Sequence, residues 1–286
     1  MHILVTGANG QLGRSLRKIA GAYPQHTFVY TDLPETDITD ASGLETLIKD
    51  HRIDLIINCA AYTAVDRAES EPDLAHKINC EGPRTLAQIV QKHDLRLIHV
   101  STDYVFDGES CHPLKEDRPT SPIGVYGVTK LAGEQAIETT GCKAAIVRTA
   151  WLYSEFGNNF VKTMLKVGQQ RESLNVVYDQ IGTPTYAPDL AAALMLIAER
   201  GIDTFQVYHF SGEGVISWYD FAQTIFELAG MSPQVNAIES WQYPSAAKRP
   251  AYSVLAKDKI KQLGAIVPYW KDSLKICLEA LKQNPS

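Results

Sequence analysis

The first half of the chain alternates short apolar runs with longer stretches in which apolar residues recur at helical spacing. The apolar runs predict buried β-strands over residues 3–6, 27–31, 54–59, 95–101 and 144–149. The periodic stretches predict helices over residues 11–20, 42–50, 74–92 and 126–138. Strand–helix alternation of this kind predicts an α/β fold, with a doubly wound parallel sheet that carries helices on both faces.

Beyond residue 150 the alternation is less regular. Shorter strands are predicted over residues 173–178 and 205–210, and helices over residues 159–168, 188–199 and 218–230. We therefore expect residues 1–150 to form the doubly wound domain. Residues 151–286 should form a smaller mixed α/β lobe over the carboxyl edge of the sheet, with some strands and helices returning to that sheet. In the first half, Pro83 should kink the third helix or restart it after Gly82.

Composition and charge narrow the classes of partner. The chain is 45% hydrophobic and 21% charged, as expected for a globular protein. A net charge of -6 argues against nucleic acid or an acidic membrane surface as a partner. The five cysteines are scattered and form no CxxC pair, which favours a reducing compartment over a disulfide framework or a zinc site. With no leader sequence and no apolar run of roughly 20 residues, we expect a cytoplasmic protein.

A glycine-rich loop follows the first predicted strand and opens the first predicted helix. Its glycines, Gly7, Gly10 and Gly13, occur where a backbone must turn sharply, approach a pyrophosphate closely and pack a helix on a strand. The helix N-terminus would supply N–H donors to phosphate groups. This position between strand and helix predicts that residues 1–150 are a Rossmann-type NAD(P)-binding domain, rather than merely containing a glycine-rich turn.

Acidic residues after the second strand bear on the choice of cofactor. Asp32 ends that strand, where a carboxylate can accept hydrogen bonds from the adenosine ribose, and Asp37 and Ile38 fit an acidic–apolar pair beside the adenine. A purely structural role in the turn at the strand end is an equal alternative for Asp32. The carboxylate favours NADH, and both NADH and NADPH remain open.

A tyrosine and a lysine one helical turn apart form the candidate catalytic pair. Tyr126 and Lys130 share a helix face, and Thr102 lies at the end of the fourth strand. Reduction of a ketone needs a proton donor for the carbonyl oxygen, and a nearby ammonium would lower the pKa of the tyrosine. Together with the glycine loop, this set predicts a reductase of the short-chain dehydrogenase type.

At these residues the chain resembles the dTDP-4-dehydrorhamnose reductases, a family of extended short-chain dehydrogenases. The matching segments are 7–13, 60–69, 101–106, 126–134, 148–153, 157–160, 179–185 and 249–250. The resemblance implies hydride transfer from NADPH or NADH to the 4-keto group of dTDP-4-dehydro-L-rhamnose, with Tyr126 as proton donor, Lys130 as its pKa partner and Thr102 as the tuning hydroxyl. The implied cofactor contacts also include Gln11, Leu12, Ala60, Ala61, Tyr62, Thr63 and Val100.

The resemblance also implies a set of contacts to the deoxysugar nucleotide. These are Thr102, Asp103, Val65, Tyr104, Trp151, Asn159 and Arg249. An indole face at Trp151 would suit the hexose ring and its methyl group, and core packing is its alternative role. Arg249 could bind the diphosphate bidentately or form a structural ion pair.

Some features depart from the family pattern or fit other classes. Part of the family joins subunits through a magnesium ion held by glutamates, one of them on the first helix, where this chain has Arg14 and Ser15. We therefore expect no metal and a monomer or weak homodimer. A nucleotide-sugar epimerase or dehydratase is one alternative function. A non-catalytic regulatory subunit of the methionine adenosyltransferase type is another.

Overall fold

The centre of the molecule is a six-stranded parallel sheet. The computed structural model describes residues 1–283 of the chain, and its main sheet has the strand order β10-β5-β4-β3-β1-β2. These strands are β1 (His2–Thr6), β2 (Thr27–Thr31), β3 (Leu55–Asn58), β4 (Arg96–Thr102), β5 (Ala144–Thr149) and β10 (Gln206–His209). Strands β3 and β5 are buried throughout, as expected where helices cover both faces of a sheet. The predicted α/β fold with a parallel sheet is confirmed.

Helices of the first half cover the two faces of the sheet. They are α1 (Gln11–Ile19), α2 (Ala41–His51), α3 (Val65–Ala68), α4 (Pro72–His76), α5 (Gly82–Lys92) and α6 (Val125–Thr140). The long helix predicted over 74–92 is interrupted by a π-helical segment, Lys77–Glu81, and α5 restarts at Gly82 with Pro83 in its first turn. Proline has no N–H with which to continue the helical hydrogen bonding, which agrees with an interruption of the helix beside Pro83.

The second half contributes to the main sheet and builds a separate core. Its helices are α7 (Phe160–Gln170), α8 (Ala187–Arg200), α9 (Trp218–Ala229), α10 (Asp258–Gln262) and α11 (Trp270–Gln283). Strand β10 pairs with β5, and α8 packs against α1. The boundary proposed at residue 150 therefore separates sequence segments rather than two independent sheets, and residues 284–286 of the proposed lobe lie outside the described part of the chain.

Short strands complete the second half. They are β6 (Leu152–Tyr153), β7 (Ser173–Val177), β8 (Ile181–Gly182), β9 (Thr185–Tyr186), β11 (Ile216–Ser217) and β12 (Gln234–Ile238). Parallel pairing of β7 with β12 supports a core that contains Tyr153, Phe221 and Trp270. Within residues 1–283, no helix combines the length and the apolar character that crossing a membrane requires.

Strand order determines where a ligand can bind. The chain leaves β1 on one side for β2 and returns on the other side to β3, so the direction of winding reverses between β1 and β3. In open α/β sheets, a crevice forms outside the carboxyl ends of the strands at such a reversal. The glycine loop after β1 and residues 59–65 after β3 lie at this crevice.

Candidate active site

A cavity of about 640 Å³ lies at the carboxyl ends of the strands and is lined by both halves of the chain. Most of the residues expected at the site line it: Gly7, Gly10, Gln11, Leu12, Asp32, Asp37, Ile38, Ala60, Ala61, Thr63, Val65, Val100, Thr102, Asp103, Tyr104, Tyr126, Lys130, Trp151 and Asn159. Gly13, Tyr62 and Arg249 do not. The structure thus brings together residues that are up to about 150 positions apart in sequence.

Two glycines of the loop allow close packing against neighbouring backbone. Gly7 has a φ of +64°, and a Cβ there would lie 2.5 Å from the Ala60 nitrogen. A Cβ on Gly13 would lie 2.5 Å from the Cα of Ala8, so Gly13 allows α1 to pack closely on the loop without itself lining the cavity. Gly10 begins α1 with no side-chain cap, which leaves the first-turn N–H groups available to phosphate oxygens.

Asp32 has both a loop role and a place in the cavity wall. Its carboxylate accepts hydrogen bonds from the backbone N–H groups of Asn9, at 2.8 Å, and Leu33, at 2.8 Å. Each carboxylate oxygen has a second lone pair, so these bonds still leave acceptor capacity for a ribose hydroxyl. Asp37 accepts from the N–H and hydroxyl of Thr39, and the backbone hydrogen bond is the main cause that lowers its pKa.

The catalytic candidates meet where β4 ends and α6 begins. Thr102 is the last residue of β4, and its hydroxyl donates to Asp103 Oδ1 at 2.9 Å and accepts from the Tyr104 N–H at 3.2 Å. A Cβ on Gly127 would lie 2.2 Å from the Tyr104 carbonyl oxygen, so only glycine allows α6 to approach this turn so closely. That approach brings the first turn of α6, with Tyr126, to the end of β4.

The electrostatics of the pair differ from the sequence-based expectation. Burial raises the pKa of Tyr126 to about 12, with the Thr102 hydroxyl opposing the rise and Asp103 adding to it. Lys130 was expected to lower this pKa, but its amine instead donates to the Val100 carbonyl at 2.7 Å and lies 3.2 Å from His99 Nε2. In the protein alone, Tyr126 is therefore a neutral phenol, which is the form that donates a proton.

Lys130 and Asp103 are the buried groups of the site whose pKa values come closest to neutral pH. Burial lowers the pKa of Lys130 to about 8, although Glu134 and Cys59 favour its charged form. Burial raises the pKa of Asp103 to about 6, and the hydroxyls of Ser253 and Thr102 oppose that rise. Oδ2 of Asp103 is buried without a hydrogen-bond partner among the described residues. Perturbed pairs of this kind are typical of catalytic sites.

A buried ion pair anchors helix α6 to the sheet. Glu134, one turn after Lys130 on α6, receives hydrogen bonds from Arg148 at 2.7–3.1 Å, and both side chains are almost fully buried. Removal of either partner would leave an uncompensated buried charge. The pair therefore restrains the position of α6 relative to β5.

Trp151 lies between the cavity and the core of the second half. It has a φ of +49°, its indole stacks on Trp218, and a Cβ on Gly182 would lie 2.6 Å from its Cε2 atom. Because it also lines the cavity, both roles considered for it, sugar contact and packing, are compatible with its position. No periodicity or motif near residue 218 indicated the stacking partner.

Three expected contacts have other partners in the structure. Arg249 donates to Asp66 at 2.7 Å, which is the ion-pair alternative. The Tyr62 hydroxyl donates to Glu71 and its ring packs among Ala68 and Ala75, so this side chain points away from the cavity.

Asn159 caps α7, and its side chain already has hydrogen-bond partners within the protein. Its amide nitrogen lies within hydrogen-bond distance of Gln11 Oε1, at 2.9 Å, and of the Ser154 carbonyl, at 2.7 Å. Its Oδ1 accepts from the Lys162 N–H. Since an amide nitrogen has only two protons to donate, the side chain has no free donor for a diphosphate in this arrangement.

Sequence reasoning missed several cavity residues. They are Leu33, Thr36, Cys59, Ile78, Ser101, Thr149, Ala150, Leu152, Gly157 and Asn158. Several of them directly follow or end strands of the parallel sheet, and that position was the available signal because carboxyl ends of parallel strands meet at one edge.

Known proteins are similar to this chain along the whole of its described part. The model of a family described as the RmlD substrate binding domain matches residues 1–283. The dTDP-4-dehydrorhamnose reductase of Aggregatibacter actinomycetemcomitans is 44% identical over 285 residues, which cover 96% of this chain and 97% of that protein.

Two solved structures are similar throughout. A crystal structure of a dTDP-4-dehydrorhamnose reductase from Clostridium acetobutylicum has a TM-score of 0.93 and 42% identity, and the match covers 99% of this chain and 100% of that one. The Bacillus anthracis dTDP-4-dehydrorhamnose reductase, crystallised in complex with NADP, has a TM-score of 0.93 and 38% identity, with 98% of this chain and 99% of that one covered.

Proposed function

This chain belongs to the dTDP-4-dehydrorhamnose reductase family, and from that membership we propose that it reduces the 4-keto group of dTDP-4-dehydro-L-rhamnose to give dTDP-L-rhamnose. The reductant is NADPH or NADH. The observation that carries the assignment is the meeting of Thr102, Tyr126 and Lys130 beside a glycine loop that a Cβ would obstruct, in a chain that matches its reductase relatives from end to end.

The chain's own residues supply the proton and the electrostatics. NAD(P)H, when bound, supplies the hydride. Tyr126 would donate its phenolic proton to the keto oxygen of the sugar, and the raised pKa of this tyrosine keeps the proton in place until charge develops on that oxygen. In the protein alone, the Thr102 hydroxyl donates its one proton to Asp103, so Thr102 would hold the keto oxygen by turning that proton from Asp103 to the substrate. The positive charge of Lys130 would stabilise the phenolate that remains.

Substrate binding would draw on both halves of the chain. Val65, Asp103 and Tyr104 line the same cavity as Trp151, which comes from the second half. An indole face opposite polar groups suits a deoxyhexose, which has hydroxyls on its ring and an apolar methyl group. Given their partners in the structure, we assign Arg249 and Asn159 to the support of neighbouring loops rather than to direct binding of the diphosphate.

The alternatives are separated by one assay. The chain is mixed with NADPH or NADH and enzymatically generated dTDP-4-dehydro-L-rhamnose, and the loss of reduced cofactor is compared with the sugar product formed. A reductase consumes one cofactor per product. An epimerase or dehydratase would convert its sugar without net consumption of cofactor, and a regulatory subunit would convert nothing; either result would overturn the assignment.

We also propose that the chain acts as a monomer or weak homodimer without a bridging metal. Helix α1 has no acidic residue in its first turn, and Ser15 is buried with its hydroxyl bonded to the Gln11 carbonyl. Elsewhere in the described residues, His76, Cys80 and Glu81 bring potential ligand atoms within 4.8 Å of one another, but the Arg84 guanidinium already binds Glu81. Sedimentation with magnesium and with a chelator should give the same molecular mass.

A further inference from the structure

A chain of buried polar side chains leads from the first strand to the catalytic lysine. Thr6 donates to Asn58 Oδ1 at 2.7 Å, Asn58 Nδ2 lies 2.9 Å from His99 Nδ1, and His99 Nε2 lies 3.2 Å from Lys130 Nζ. Each of these residues is at most 2% exposed. The proposed reaction uses only the lysine at the end of this chain, so the role of His99 is unexplained by it.

The backbone fixes the orientation of the Asn58 amide. The Ala60 N–H donates to Asn58 Oδ1 at 3.1 Å, and a backbone N–H can only donate. The Asn58 oxygen must therefore face Ala60 and its amide nitrogen must face His99. Because that nitrogen is only a donor, His99 Nδ1 must be unprotonated and accept the bond. The imidazole is neutral here, since burial is the main cause that holds the pKa of His99 well below its usual value.

This tautomer has a consequence for Lys130. With Nδ1 unprotonated, the proton of His99 lies on Nε2 and points at the lysine nitrogen. An ammonium group has only donors, so a charged Lys130 would place a donor against a donor. An uncharged amine can accept from His99 and still donate to the Val100 carbonyl at 2.7 Å. Burial acts in the same direction on this lysine.

The other titratable neighbours of Lys130 do not account for this arrangement. Glu134 on its own helix and Cys59 after β3 both favour the charged lysine. Tyr126, one turn earlier on α6, is a neutral phenol. Of the groups around the amine, His99 is thus the one whose hydrogen-bonding direction selects against charge.

We propose that His99 is a positioning residue for Lys130: through the tautomer that Asn58 imposes, it favours the uncharged form of the lysine amine on the Val100 carbonyl in the cofactor-free protein. Its importance for turnover rests on the proposed function, because it is there that the charge of Lys130 stabilises the phenolate. The pair Asn58 and His99, which does not line the cavity, would then add to burial in lowering the pH range over which Lys130 becomes charged.

The first test reads the tautomer directly. Imidazole nitrogen NMR on the full-length, cofactor-free protein should show His99 neutral at pH 7 with its proton on Nε2. Lysine side-chain carbon NMR, assigned with Lys130→Met, should show that Lys130 titrates near pH 8, well below the usual range of a lysine. A proton on Nδ1, or a charged His99 ring, would overturn the proposal. Neither measurement uses the substrate, so failure here is distinguishable from failure of the proposed reaction.

The second test reverses the tautomer. In Asn58→Asp, the carboxylate can still accept from Thr6 and Ala60, but towards His99 it can only accept, so the proton should move to Nδ1. The titration midpoint of Lys130 should then rise by about one unit or more. Asn175→Asp makes the same change at an exposed residue of β7 and should leave the His99 and Lys130 signals unchanged. A folded Asn58→Asp protein in which the lysine shifts without a change at His99 would show a general charge effect and refute the role of the tautomer. If Asn58→Asp does not fold, the proposal is accepted or rejected on the His99 tautomer measured in the wild-type protein.

Discussion

The indole rings of Trp151 and Trp218 stack with their centroids 3.6 Å apart and their planes 10° from parallel. Trp218 is the first residue of α9, where it also contacts Phe160 and Phe221 of the second core. Of the two indoles, only that of Trp151 lines the cavity. Trp218 therefore connects the core of the second half to the wall of the proposed sugar site.

Removal of this support should weaken sugar binding specifically. In Trp218→Ala, Trp151 loses one covered face and its fixed orientation, so the KM for the sugar nucleotide should rise, at a cost of about 1–3 kcal/mol. Trp151→Ala should have an effect of similar size. Affinity for NADH, measured by fluorescence titration, should hardly change in either variant. Trp241→Ala, which removes an indole that is 79% exposed, is the control. Equal losses for cofactor and sugar would contradict this division of roles.

The same indole can be displaced without being removed. A methyl group at Gly182 would lie 2.6 Å from Trp151 Cε2 and 2.8 Å from Ser253 Oγ, so Gly182→Ala should force the ring to shift. We expect a higher sugar KM and a lower melting temperature. Gly21→Ala is the matched control, since no atom lies within 4 Å of a Cβ at that position. A normal KM in Gly182→Ala would mean that the exact place of the indole is unimportant for the sugar.

Loss of the proposed proton donor should affect turnover and not cofactor binding. Tyr126→Phe keeps the ring, including its edge-to-face contact with Tyr104, and removes only the hydroxyl. Turnover should fall by about two orders of magnitude or more, as expected for lost general acid catalysis. Cofactor affinity should remain close to that of the wild type. Tyr178→Phe removes the hydroxyl of an exposed tyrosine and should leave turnover unchanged. Near-normal turnover in Tyr126→Phe would exclude this tyrosine from the chemistry.

The cofactor preference should depend on the charge of Asp32. Its carboxylate would repel the additional phosphate of NADPH, so the wild type should use NADH at least comparably to NADPH. Asp32→Asn removes the charge and retains an acceptor for the N–H of Asn9 or Leu33. We expect the ratio of kcat/KM values to shift toward NADPH by about tenfold, or about 1.4 kcal/mol. A lower stability with an unchanged ratio would assign Asp32 to the loop alone.

Asp103 should lower the stability of the protein above pH 6. Burial raises its pKa from 3.8 to about 6, so the folded chain binds a proton more tightly than the unfolded chain does. Wild-type stability should therefore fall as the pH rises between roughly 4 and 6. Asp103→Asn has no carboxyl group to titrate here, so it should be more stable than the wild type at pH 8, by up to about 3 kcal/mol. It should also be less active, because the Thr102 hydroxyl loses its ionised acceptor.

The measurement is chemical denaturation of both proteins at several pH values. The stability difference between them should be small near pH 4 and constant above about pH 7. Asp117→Asn, which changes an exposed carboxylate, is the control. A difference that is independent of pH would mean that the titration of Asp103 is not its cause.

Local sequence determined the six strands of the main sheet, most helices of the first half and the spacing of the proposed catalytic residues. The spacing of Tyr126 and Lys130 places them one turn apart in any helix, and Gly7, Gly10 and Gly13 follow a buried strand whatever the rest of the chain does. The elements that were not predicted are helices α3, α10 and α11 and strands β6, β8, β9, β11 and β12. All of them except α11 span only two to five residues, which is too short for a periodic pattern.

Only the tertiary structure decided which partners these side chains have. Arg249 binds Asp66 across 183 positions, Trp218 stacks on Trp151, and His99 separates Lys130 from Asn58. The shift in the pKa of Tyr126 came out opposite to expectation because burial outweighs a charge that is directed elsewhere. Periodicity is a property of consecutive residues. Burial and hydrogen-bond direction depend on segments that are far apart in sequence and come into contact only in the folded protein.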